Sequence, residues 1–114
     1  PHWQGRPDVR NLVDVPLQPR TGFDWLRAAV TSRWMPALAR QKPQLIIVSA
    51  GFDAHEADPL AHLQWQDRDY HWLGQTIAEF ARRWADGRVL ATLEGGYDLD
   101  ALGRSVVAFL EPLA

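Results

Sequence analysis

A chain of 114 residues with 46% hydrophobic content fits one small domain and is too apolar for a disordered segment. Its formal net charge of −2 leaves no basic footprint for nucleic acid or an anionic membrane surface. The lack of cysteine excludes a disulfide scaffold and a thiolate zinc site. No apolar run approaches the roughly 20 residues of a membrane-spanning helix, and no secretory signal is legible. The opening "PHWQGRPDVR" has no methionine and reads as the start of a piece of a longer protein. Most of the six tryptophans are expected in the core, and some against a part of the parent that lies outside this chain.

Residues 1–9 read as loop. "RNLVDVPL" (10–17) alternates and is expected to offer Leu12, Val13 and Val15 to a sheet until Pro16 ends the ladder. From Phe23 to Gln41 the apolar residues Trp25, Leu26, Ala29, Val30, Trp34 and Leu38 fall near the 3.6-residue spacing of a helix. Pro36 inside that run predicts a kink or a restart, and Lys42-Pro43 predicts the end. "QLIIVSA" (44–50) lacks polar alternation, as expected of a parallel strand covered on both faces. Residues 51–66 read as a long polar loop. Asp67 is the expected cap of a helix over about 68–86, with Leu73, Ile77, Phe80 and Trp84 on one stripe and Asp86-Gly87 as the stop. "RVLATLE" (88–94) predicts a second strand. "GGYD" (95–98) predicts a turn, with Asp98 capping a last helix that carries Leu99, Leu102, Val106, Phe109 and Leu110.

Strands alternating with helices predict an α/β fold with a parallel sheet between helical layers. Ligands of such sheets sit beyond the carboxyl ends of the strands. The loops 50–60 and 94–98 both follow strands, so both are expected at one edge of the sheet. In "AGFDAHEADP", Asp53 is a hard oxygen donor suited to zinc, and His55 could be a second ligand. Asp53 and Asp58 can equally serve as turn formers beside a solvated His55 and Glu56. In "LEGGYDLD", the two glycines free the backbone, and the Tyr97 hydroxyl could stabilise an oxyanion. A plain strand-to-helix turn fits the same residues. A dinucleotide or P-loop phosphate site does not, because the third glycine and the Lys-Ser/Thr are missing. Together the two loops suit metal-assisted amide hydrolysis.

"LIIVSAGFDAHEADPLAHLQ" and "ATLEGGYDLDALGRSV" resemble the carboxyl-terminal part of the zinc-dependent histone deacetylase family. The likeness is to the branch of class II histone deacetylases and acetylpolyamine amidohydrolases, with Glu94 on the class II side, and it covers about residues 4–110. It implies the carboxyl-terminal portion of a three-layer arginase/deacetylase-type sheet, so that 1–114 is one part of a single catalytic domain. It also implies that Asp53 is the last of three zinc ligands and that Tyr97 bonds the scissile carbonyl oxygen. Leu60 is implied to line the acyl-lysine tunnel, and Gly95 and Gly96 to let the tyrosine loop approach the substrate. The residues flanking His55 match the last-ligand loop, so His55 is read as a non-ligand despite its Asp-x-His spacing.

The family's tandem histidines and its Asp-x-His zinc pair have no counterpart: His2, His55, His62 and His71 occur singly. The expected zinc site is therefore completed by the remainder of the domain, and the chain alone is expected to be inactive. The implied substrate is an acetylated lysine or polyamine, with no direct nucleic acid or membrane partner. The expected compartment is the cytoplasm, or the nucleus if the host is eukaryotic. The alternatives are a non-catalytic relative or binding module, a self-sufficient small α/β domain, and a related arginase-like enzyme.

Overall fold

The computed structural model describes residues 11–114. His2 and the expected opening loop lie outside them. Helix α1 (Phe23–Ala29) runs through a π-helical turn (Val30–Trp34) into α2 (Met35–Gln41). Strand β1 (Ile46–Ala50), helix α3 (Asp67–Trp84), strand β2 (Val89–Leu93), helix α4 (Leu99–Leu110) and a 3-10 turn (Glu111–Leu113) follow.

The two strands pair in parallel from Ile46↔Val89 to Ala50↔Leu93. A parallel pair needs a crossover, which here contains α3. The α/β expectation therefore holds, with a two-stranded sheet among the described residues. The segment expected as a strand at 12–15 is not one. Val13, Val15 and Leu17 are half-buried between exposed neighbours, so the alternation is present without a ladder. Pro16 removes an amide donor at the end of that stretch.

Of the two outcomes expected at Pro36 the restart is found: it stands in the first turn of α2. It has no N–H to give to the preceding turn, and the helix answers by widening: the Met35 N–H reaches back five residues to the Val30 carbonyl. Lys42 ends α2 in the left-handed conformation at φ 50°, its N–H donating to the Leu38 carbonyl.

Gln66, not Asp67, caps α3. A capping box joins Gln66 and Asp69, with the Gln66 N–H donating to Asp69 Oδ2 at 2.8 Å. That frees the Asp67 carboxylate for other partners. Asp98 caps α4 as expected, accepting from the Ala101 N–H at 2.8 Å.

The core gathers where α3 and α4 meet the helix-facing side of β1. Phe52, Tyr70 and Phe109 are buried together, with Val48, Ala50, Leu73, Ile77, Leu102 and Val106 around them. The Phe52 ring lies 4.9 Å from Tyr70 and 6.0 Å from Phe109 between centroids. Gly74 permits the close approach of α3 to α4, since a Cβ there would sit 2.2 Å from the Phe109 carbonyl oxygen. The expectation that β1 is covered on both faces is not met among the described residues: Ile47 is 64% exposed and its register partner Leu90 is also exposed.

Candidate functional site at the strand ends

Ala50 and Leu93 are the last paired residues of their strands, so the loops that follow leave the sheet side by side. Backbone hydrogen bonds lace them at once. The Glu94 N–H donates to the Ala50 carbonyl at 2.9 Å, and the Phe52 N–H donates to the Gly95 carbonyl at 2.8 Å. Ser49 Oγ adds a bond to Glu94 Oε1 at 3.1 Å. Phe52 is anchored in the core, which holds its neighbour Asp53 at the surface.

Glycines clear the space around the Asp53 carboxylate. A Cβ on Gly95 would lie 3.0 Å from Oδ2, and one on Gly51 would lie 3.1 Å from Oδ1. Gly96 has φ 138°, and a Cβ there would press on Leu102 Cδ1 at 2.6 Å. A side chain at Gly96 is therefore opposed both by conformation and by packing. The next residue, Tyr97, is 57% exposed. The fold thus brings Asp53, Gly95, Gly96 and Tyr97 to one rim of the sheet. Leu60, 60% exposed, is tied to the same rim through Asp58.

Loop 51–66 folds on itself beneath this rim. His55 and Trp65 form a bridge, with the Glu56 N–H bonded to the Trp65 carbonyl and the Trp65 N–H to the Ala54 carbonyl. His55 is buried, and both of its ring nitrogens are engaged. The Ala57 N–H donates to Nδ1 at 3.0 Å, so Nε2 carries the proton it donates to Asp67 Oδ1 at 2.9 Å. Neither nitrogen has a lone pair left for a metal. Asp67 also accepts from Arg104 Nε at 2.9 Å and Ser105 Oγ at 3.2 Å, tying the loop to α4. Burial opposes the Asp67 charge, but Arg104, His55 and Ser105 outweigh it and hold the carboxyl below its usual range.

Asp58 behaves in the same way. Desolvation would raise its pKa, and the backbone N–H groups of Tyr97, Leu60 and Asp98 lower it overall. Tyr70 stands on the other side of the balance. Its burial first, and the negative charge of Asp53 second, hold the phenol protonated well above its usual value.

Sequence reasoning missed the parts played by Asp58, Asp67 and Tyr70. Asp58 carried a local signal in its position before Pro59, which marks a turn. Nothing in the sequence signalled its reach to Tyr97, 39 residues away.

Among the described residues no three His, Asp or Glu side chains converge on a metal-sized space. Asp53 stands as a single carboxylate donor. Its oxygen chemistry suits zinc, but a zinc centre takes three or four protein ligands.

Residues 3–113 match the family model of the histone deacetylase domain. The chain is 42% identical over 94 residues to Histone deacetylase 10, chloroplastic, of Oryza sativa subsp. japonica, covering 82% of this chain and 21% of that protein. It is 40% identical over 85 residues to the Histone deacetylase-like amidohydrolase of Pseudomonas aeruginosa, covering 75% of this chain and 22% of that protein. In structure it is similar to the HDA15 HD domain, with TM-score 0.74 and 29% identity over 82% of this chain and 26% of that one. It is equally similar to the histone deacetylase Clr3, with TM-score 0.74 and 32% identity over 83% of this chain and 15% of that one. The chain therefore spans about a fifth of the length of these two curated relatives.

Proposed function

This chain belongs to the histone deacetylase family, and we propose that it is the carboxyl-terminal part of a zinc-dependent amidohydrolase domain. The proposed reaction is hydrolysis of the N-acetyl group of an acetyl-lysine or an acetylpolyamine. One observation carries this reading: two strand-end loops are hydrogen-bonded together so that the Asp53 carboxylate lies against Gly95, two residues before Tyr97.

Asp53 would supply one ligand to the metal, and the remainder of the domain would supply two others and the general base. Zinc, when bound, supplies Lewis acidity for the acetyl carbonyl and for water. This chain's own residues would hold the substrate and meet its carbonyl oxygen. Tyr97, exposed at the rim, would donate a hydrogen bond from its hydroxyl to the acetyl oxygen as negative charge grows on it. Gly95 and Gly96 keep the approach free of side chains. Leu60 would form part of the apolar wall along which the acylated side chain is threaded, away from bulk water.

The sheet supports the view that this is part of a larger domain. Ile47, Leu90 and Leu93 are exposed apolar residues on the sheet, and contiguous exposed apolar surface marks an interaction site. The remainder of the domain is the proposed cover.

Acetate release by the full-length protein tests this function. The zinc-loaded protein should hydrolyse an acetyl-lysine peptide or an N-acetylpolyamine, lose that activity on chelation and regain it with added zinc. The isolated 114-residue chain should show no turnover. No acetate release from either substrate by the zinc-loaded full-length protein would refute the reading.

A further inference from the structure

We infer that Asp58 is a positioning residue whose carboxylate sets the Tyr97 turn and Leu60 in one frame for the reaction; this rests on the roles proposed above for those two residues. Asp58 is only 6% exposed. Its Oδ2 accepts the Tyr97 N–H at 2.6 Å and the Asp98 N–H at 3.3 Å, and its Oδ1 accepts the Leu60 N–H at 2.9 Å. One side chain thus joins the two loops at the residues proposed to touch the substrate.

The turn needs such a fixture. Upstream it is held by the Phe52–Gly95 bond, and downstream by Asp98, which caps α4. Between them Gly96 has no side chain to restrain the backbone, and the Tyr97 ring is mostly in solvent. The carboxylate grips Tyr97 by its amide, so the backbone is located while the phenol stays free to meet a substrate.

A carboxylate is an acceptor on both oxygens, and both are used. Asparagine would keep the shape and turn an N–H₂ toward either Leu60 or Tyr97, setting donor against donor. A displacement of about 1 Å in a group that must meet a reacting atom can cost on the order of a hundredfold in rate.

The experiment is a double-mutant cycle on the full-length, zinc-loaded protein, using Asp58→Asn, Tyr97→Phe and the pair. Asp58→Asn should lower kcat by about a hundredfold with metal content unchanged. In the Tyr97→Phe background the same change should lower kcat by no more than a few-fold, because the hydroxyl it positions is already gone. Any effect through Leu60 should remain as a rise in KM. An equal loss of kcat in both backgrounds, or no loss in either, would overturn the positioning role. If Tyr97→Phe alone leaves kcat intact, the Tyr97 role itself fails, which is a different result. Should Asp58→Asn not fold, amide exchange in the wild-type protein decides: a slowed Tyr97 amide supports the proposal, and exchange at the rate of an open turn overturns it.

Discussion

Tyr97→Phe in the full-length protein is expected to lower turnover by roughly a hundred- to a thousandfold while its zinc content and melting temperature stay unchanged. The substitution removes one O–H and nothing that holds the fold. The Tyr97 side chain is mostly exposed, and the turn is fixed through its backbone by Asp58 and by the Phe52–Gly95 bond. What is lost is the donor to the developing oxyanion, and removing one such donor typically costs about 2.7–4 kcal/mol of transition-state stabilisation. The loss should appear in kcat and in kcat/KM alike, since the bond matters most in the transition state. Unchanged turnover would remove Tyr97 from the chemistry.

Asp53→Ala is expected to act at an earlier step and to abolish zinc binding, taking activity down to background. Catalytic zinc sites hold their metal with three protein ligands, and two do not suffice for a stable site. Gly51 and Gly95 keep the space beside this carboxylate open, and Phe52, not Asp53, anchors the loop in the core. The variant should therefore fold and melt as the parent apoprotein does. Elemental analysis of the purified variant provides the check; stoichiometric zinc in it would refute a ligand role for Asp53.

Much of the element order was legible because the breaks are chemically explicit. Lys42-Pro43 and Asp86-Gly87 end helices, Asp98 caps one, and the apolar runs before Gly51 and Glu94 are strands. The juxtaposition of the two loops was also legible, because parallel strands put their carboxyl ends on one edge. Three features were not. The run at 12–17 alternates as a strand would, but alternation reports side-chain burial and says nothing of a hydrogen-bonding partner. The apolar character of β1 suggests two covered faces, yet Ile47 is largely exposed among the described residues. The uses of Asp58 and Asp67 depend on atoms 37 to 40 residues away, in Tyr97, Asp98, Arg104 and Ser105. Local sequence shows such carboxylates only as turn or cap formers, and Asp67 shows how a cap role can fall to the residue before it.

The most direct test of a shared catalytic rim is zinc-edge anomalous diffraction from crystals of the full-length protein. The expected result is a zinc peak about 2.0–2.2 Å from an Asp53 oxygen, with the Tyr97 hydroxyl facing the same cavity. A zinc ion bound elsewhere while Asp53 points into solvent, or a Tyr97 phenol turned to the opposite side of the domain, would contradict it.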